Sequence, residues 1–141
     1  MIGDNDRRTA VALLILRLSL GIFLLQWSLE KFIAPSSAAG VAKAFYGVSP
    51  STTQTYVAGA AELVLALALL VGVARRWTYG AAFLVHAVSV AATWQQLFDP
   101  YGGRGNHLFI AGIPVLAAFF VLYLLRRADI YSIDGLRERS I

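Results

Sequence analysis

The sequence predicts an all-α protein, a bundle of four transmembrane helices with a short interfacial helix in the first outer loop. Two observations predict this class, namely the composition and the length of the charge-poor stretches. Hydrophobic residues make up 58% of the 141 positions and charged residues 14%, against about 25% in an ordinary soluble domain. No cysteine is present. Several charge-poor stretches reach the roughly 20 residues that a helix needs to cross a bilayer. We therefore expect one membrane domain over residues 1–141.

The four predicted spans follow from the spacing of the charged residues. They cover about residues 9–32, 55–73, 77–98 and 107–125. The third and fourth lie in stretches of 22 and 21 residues without a charge. Arg17 interrupts the first span and Glu62 the second. All four are much longer than the roughly 10-residue strands of a membrane barrel, so helices are favoured.

The connections between the spans differ in length. Residues 33–54 have turn residues at both ends and apolar residues at helical spacing between them, which predicts a short interfacial helix anchored by Tyr46. The join at Arg75–Arg76 is so short that the second and third spans must be antiparallel neighbours. The glycine-rich segment 99–106 is predicted to be a flexible turn.

The basic residues predict the orientation of the bundle. Eight arginines are expected at the end that carries both termini, namely Arg7, Arg8, Arg75, Arg76, Arg126, Arg127, Arg137 and Arg139. Only Lys31, Lys43 and Arg104 are expected at the opposite end. Because short cytoplasmic loops are enriched in Lys and Arg, both termini are predicted to be cytoplasmic.

Four segments resemble the DoxX family of small four-helix membrane proteins. They are RLSLGIFLLQWSLEKF at Arg17–Phe32, AFYGVSP at Ala44–Pro50, AELVLALALLVGVARR at Ala61–Arg76 and YSID at Tyr131–Asp134. One departure is that Ala128–Ile130 stands where such proteins often carry glycines. The resemblance implies an integral membrane protein, and some members are described as subunits of quinone-linked oxidoreductase systems.

Ionisable residues inside the spans need partners, because an exposed charge in hydrocarbon costs at least about 2.5–3.5 kcal/mol. Counted along the helices, Arg17 lies roughly 13 Å from Arg8 and Glu62 roughly 20 Å from Arg75. We therefore expect Arg17 and Glu62 to form a direct or water-linked ion pair between the first two spans. The pair could be a structural contact or part of a proton or quinone site, and the structural role is favoured.

Helical phase predicts a polar pocket towards the outer half of the bundle. Its candidate residues are Arg17, Gln26, Glu30, Glu62, His86 and Gln96. The alternative is that these side chains form hydrogen bonds that fix helix packing, each worth about 0.6–2 kcal/mol. Neither interpretation assigns a catalytic residue.

Several chemistries are not expected on this chain. Iron–sulfur clusters and thiolate zinc need cysteine, and no metal-ligand spacing is present. His86 and His107 lie too far apart along the bundle to ligate one haem, and no nucleic-acid-binding motif accompanies the net charge of +4.

Two functions therefore remain open. The first is a quinone-associated accessory subunit of a membrane oxidoreductase system, with quinone or lipid bound noncovalently. The second is a noncatalytic membrane anchor, scaffold or regulatory partner. Catalysis by the chain alone is not expected, and a protein partner or homo-oligomer is possible with either function.

Overall fold

The computed structural model describes residues 4–103 and 106–140, and this part of the chain contains helices and no strand. The elements are α1 (Asp4–Ile33), α2 (Pro35–Tyr46), α3 (Thr52–Val71), α4 (Arg75–Ala92), α5 (Trp94–Phe98), a 3₁₀ helix (His107–Ala111), α6 (Gly112–Leu124) and α7 (Ile133–Glu138). The predicted all-α class is confirmed. Arg104 is one of the basic residues on which the predicted orientation depends, and it lies outside the described residues.

Four helices form the body of the protein. α1 packs against α3, α3 against α4, α4 against α6, and α6 against α1, which closes a ring. The predicted adjacency of the helices joined at Arg75–Arg76 is therefore confirmed. An apolar cluster fills the space between the helices, and Tyr79, Phe119 and Leu69 are among its largest fully buried side chains.

The outer surface of this bundle is apolar as well. Ile22, Val64 and Leu84 are 61%, 68% and 62% exposed. A soluble protein rarely leaves so much contiguous apolar area in water. Hydrocarbon around the bundle accounts for this surface.

Three candidate membrane spans satisfy the requirements of length and composition: Asp4–Ile33, Thr52–Val71 and the continuous helical segment His107–Leu124. The prediction of one long helix over 77–98 is wrong, because α4 ends at Ala92 and α5 begins at Trp94. At this break Thr93 Oγ1 donates to the carbonyls of Ser89 and Val90, both at 3.1 Å. Such a side chain competes with the helical backbone pattern and favours a bend.

The first connection contains the predicted short helix, α2, which begins at Pro35. It ends at Tyr46 and is capped by Gly47, whose φ of +69° places it in the left-handed region. No residue of α2 is buried, and Tyr46 Oη donates to Ser89 Oγ at 2.9 Å. α2 therefore lies across one end of the bundle and is tied to α4.

The cap residues of α3 account for its sharp limits. Ser51 and Gln54 form a reciprocal capping box, with Gln54 Oε1 accepting from the Ser51 N–H at 2.8 Å. At the other end Gly72 adopts a φ of +70°, and its N–H donates to the Ala68 and Leu69 carbonyls. The chain then turns directly into α4.

Candidate functional site

A buried ion pair joins the first transmembrane helix to the C-terminal segment. Arg17 Nε lies 2.9 Å from Asp129 Oδ2, and the two side chains are only 3% and 0% exposed. Tyr79 Oη of α4 donates to the same carboxylate oxygen at 2.5 Å. We call Arg17, Arg75, Tyr79 and Asp129 the C-terminal polar cluster.

The Arg17 guanidinium uses its remaining donors on backbone carbonyls. Nη1 donates to Leu70 at the end of α3, and Nη2 donates to Tyr131 at 3.1 Å. These carbonyls are available because α3 ends at Val71 and because the Tyr131 segment is not helical. A single side chain of α1 thus joins α3 and the C-terminal segment.

Arg75 makes a second set of contacts with the C-terminal segment. Its Nη1 donates to the Arg126 and Asp129 carbonyls at 2.8 and 3.0 Å. Its Nη2 lies 2.6 Å from Glu138, and its backbone N–H donates to Asp134 Oδ2 at 2.9 Å. The carboxylate of Asp134 therefore occupies the N-terminal turn of α4, where the helix dipole favours negative charge.

The C-terminal segment has a local structure that presents Asp129. Ser132 Oγ donates to the Asp129 carbonyl at 2.6 Å and accepts from the Gly135 N–H at 3.1 Å, which caps α7. Asp134 N–H donates to the Gly72 carbonyl at 3.2 Å. A Cβ on Gly72 would overlap that of Ser132, so the close approach depends on glycine.

The expected pair between Arg17 and Glu62 is wrong. Glu62 instead accepts from Lys31 Nζ at 2.5 Å. Arg17 contacts Leu70, which is eight residues from Glu62, a separation of roughly 12 Å along α3. Arg8 lies closer to water than the end of α3. Counting residues from Arg8 therefore places Arg17 too deep in the bundle relative to α3, whose end holds the Arg17 side chain.

The other predicted pocket residues have separate environments. Gln26 is exposed and Gln96 is half-buried. Glu30 Oε1 accepts from Ser37 Oγ at 2.9 Å, and His86 Nε2 lies 3.1 Å from the Gly112 carbonyl. These contacts do not bring the six candidates, Arg17, Gln26, Glu30, Glu62, His86 and Gln96, together around one pocket.

His86 lies among aromatic rings in the bundle. Its ring centroid is 5.4 Å from that of Phe23 and 5.3 Å from that of Phe119, and the residue is 7% exposed. The hydrogen bond to Gly112 satisfies one ring nitrogen. This environment fits a packed helix contact between α4 and α6.

The Lys31–Glu62 pair has a more open setting. The two side chains are 24% and 15% exposed. Beside them, the rings of Phe32 and Tyr56 stack with centroids 5.9 Å apart and an interplanar angle of 12°. A Cβ on Gly59 would lie 2.9 Å from Lys31 Cβ, so glycine permits the close approach of α1 and α3. A charged pair and two half-exposed rings therefore share one face.

Sequence reasoning missed Tyr79 and Asp129 as functional candidates. The sequence feature that points to this region is the YSID segment at Tyr131–Asp134. Ser132 and Asp134 of this segment form the contacts described above. Asp129 lies just before this segment, at the departure from the family pattern. Nothing in the sequence indicates that this single acidic residue in a polar tail packs against a transmembrane helix.

The C-terminal polar cluster contains a buried ion pair and one carboxylate oxygen without a hydrogen-bond partner among the described residues. Asp129 Oδ1 is buried and has no hydrogen-bond partner among the described residues. Within residues 4–103 and 106–140, no group of three His, Asp or Glu side chains is arranged to hold a metal ion.

Comparison with protein families identifies the family of this chain. A family model described as DoxX matches residues 12–98, which is more than half of the 141-residue chain. Arg17, Glu62 and Tyr79 lie inside the matched range, and Asp129 lies after it. No curated protein and no solved structure matches the chain significantly.

Proposed function

Since the chain belongs to the DoxX family of membrane proteins, we propose that it functions as a noncatalytic four-span component of a larger membrane assembly. In this proposal α4 together with α5 forms the remaining span beside the three candidate spans. The chain would supply a rigid membrane-embedded surface to a partner, which is a protein subunit or a second copy.

The observation that carries this proposal is that the charges inside the bundle are matched by internal partners. Arg17 is paired with Asp129 and Lys31 with Glu62. A group that binds a substrate or moves a proton usually keeps an open side, whereas Arg17 and Asp129 are 3% and 0% exposed. Pairing and burial of this kind support a structural role for Arg17 and Asp129.

The proposed orientation places both termini in the cytoplasm. The contacts of Arg75 with Arg126 and Asp129 bring the start of α4 and the end of α6 to the same end of the bundle. Lys31 lies towards the opposite end of α1. The excess of arginines on the side of the termini supports a cytoplasmic location.

Native mass spectrometry of the protein extracted from its own membranes in mild detergent tests the proposal. We expect a species heavier than one chain, with a partner subunit or a second copy retained. Tyr79→Phe should weaken the bundle without changing the small molecules that remain bound. A monomer that retains a redox-active small molecule would contradict the noncatalytic assignment.

A second candidate function is that of a quinone-associated accessory subunit, and the Lys31–Glu62 pair favours it. Lys31 could donate a hydrogen bond to a quinone carbonyl, and Glu62 could accept or supply a proton. The stacked Phe32 and Tyr56 rings offer a flat apolar surface on the same face. The side chains are partly exposed, so a ligand could reach them from the lipid.

The amount of quinone that copurifies with the protein distinguishes the quinone-associated subunit from the noncatalytic component. Glu62→Gln preserves the size of the side chain and removes its charge, whereas Glu138→Gln makes the same change at a residue that contacts Arg75 at the other end. If quinone binds at this pair, Glu62→Gln should lower the amount of quinone that copurifies and Glu138→Gln should not. Equal quinone content in both variants and in the native protein would remove the Lys31–Glu62 pair as the site.

A further inference from the structure

Two arginines at the end of the bundle that carries the termini are held against aromatic rings. Arg76 Cζ lies 5.4 Å from the centroid of the Trp77 ring, and Arg126 Cζ lies 4.5 Å from that of Tyr123. Arg126 Nη1 also donates to the Tyr123 carbonyl at 2.8 Å. Stacking fixes the plane of a guanidinium while its edge remains free to donate hydrogen bonds.

These two arginines stand on adjoining helix ends. Arg75 Nη1 donates to the Arg126 carbonyl at 2.8 Å, which joins the first residue of α4 to the chain just after α6. Gly80 follows Arg76 by one helical turn and lies on the same face of α4. A Cβ on Gly80 would lie 3.2 Å from the Tyr123 ring, so the ring that supports Arg126 packs on this face.

The carboxylates of the C-terminal segment are already engaged by other arginines. Asp129 pairs with Arg17, while Asp134 and Glu138 pair with Arg75. In the ranges 4–103 and 106–140, neither Arg76 nor Arg126 forms an ion pair. Their positive charge is therefore available to an anion from outside the chain.

An exposed apolar surface leads away from the arginines along the helices. Trp77 is 73% exposed, and Leu84, two helical turns further along α4, is 62% exposed. On α6, Leu124 and Phe120, which are one helical turn apart, are 60% and 48% exposed. An anion that bound the arginines and also carried hydrocarbon chains could bury those chains against this surface.

We propose that Arg76 and Arg126 bind the phosphodiester headgroup of an anionic phospholipid, with its acyl chains along the exposed face of α4 and α6. Arginine suits this ligand because its planar group can donate two hydrogen bonds to one phosphate. The site does not depend on the proposed function, since it uses neither the Lys31–Glu62 pair nor the C-terminal polar cluster.

The test measures binding of phosphatidylglycerol and phosphatidylcholine to the detergent-purified full chain by native mass spectrometry. The variant R76Q/R126Q removes both site charges. The control R137Q/R139Q removes two exposed charges near the C terminus. Each arginine near an anionic lipid surface contributes about fivefold to binding, so the site variant should bind phosphatidylglycerol roughly 30-fold more weakly. The control should lose much less affinity, and phosphatidylcholine binding should change in neither variant.

Three results would overturn the assignment. Equal losses in R76Q/R126Q and R137Q/R139Q would mean that the charge acts diffusely. Displacement of phosphatidylglycerol by inorganic phosphate at the same concentration would identify a soluble anion as the ligand. Unchanged binding in R76K/R126K, which keeps both charges but loses the planar groups, would exclude recognition by stacked guanidiniums.

Discussion

Arg17 and Asp129 lie 112 positions apart in the sequence and form a buried ion pair, with Nε 2.9 Å from Oδ2. The pair makes the C-terminal segment part of the helical bundle. Without it, a cationic side chain on α1 would face the apolar core, and the segment that contains Tyr131 would lose its contact with α1. We therefore expect the stability of the bundle to depend on residues that follow the last span.

Asp129→Asn is expected to destabilise the protein strongly, because it leaves the Arg17 charge buried without its counter-charge. The expected cost is roughly 3–5 kcal/mol of unfolding free energy. Denaturation in detergent, followed by circular dichroism, measures it. Glu138→Gln serves as the control because Glu138 is 66% exposed in its ion pair with Arg75. A loss no larger than that of the control would contradict the importance of the buried pair.

Double-mutant cycles should distinguish the observed pairing from the pairing that the sequence predicts. We expect a coupling energy of about 0.5–3 kcal/mol between Arg17→Gln and Asp129→Asn, since the two groups are in contact. Arg17→Gln and Glu62→Gln should be additive, because Glu62 pairs with Lys31. Strong coupling of Arg17 to Glu62 would instead support a direct pair between α1 and α3.

Tyr79→Phe removes one hydroxyl group from the core without changing the ring. Its Oη donates to Asp129 Oδ2 at 2.5 Å, and a hydrogen bond to a charged group contributes about 1.5–3 kcal/mol. We expect a loss of this size in the same denaturation assay. No loss would show that the carboxylate is satisfied by Arg17 alone.

Gly72→Ala should weaken the docking of the C-terminal segment. Gly72 has a φ of +70°, and an added Cβ would overlap Ser132. We expect a cost above about 1 kcal/mol and faster proteolytic cleavage after Leu125. Gly40→Ala is the matched control, since a Cβ there meets nothing within 4 Å and alanine favours the helix. Equal cleavage rates would mean that the segment does not depend on this contact.

The absence of cysteine makes the proposed orientation directly testable by labelling. Gly40→Cys and Gly103→Cys each place one thiol at an exposed position in an outer connection, and Ser140→Cys places one near the C terminus. A membrane-impermeant maleimide should label the first two in intact cells and the third only after permeabilisation. The reverse pattern would place the termini outside.

The sequence predicts the fold class well because membrane spans depend on local composition. α1, α3 and the segment 107–124 match three predicted spans closely. The short helix α2 is also predicted correctly from its turn residues and apolar spacing. The break at Thr93 is missed, because a single threonine in an apolar stretch gives no sequence signal that the helix is interrupted there.

The candidate site is predicted less well than the fold. The sequence identifies Arg17 and Glu62 as charges that need partners, and both have them. It predicts the wrong partners, because the number of residues from a loop arginine does not determine how far one helix is shifted along the bundle relative to its neighbour. Asp129 gives no periodic signal at all.

The sequence by itself therefore determined that this chain forms apolar helices and which of its charges lie within them. Each residue contributes largely independently to the free energy of transfer into the membrane, so these contributions can be added along the sequence. The tertiary structure alone decided that Arg17 pairs with Asp129 and Lys31 with Glu62. Ion pairs require atoms within a few ångströms, and that proximity depends on the relative level of the helices and on the return of the C-terminal segment to the bundle.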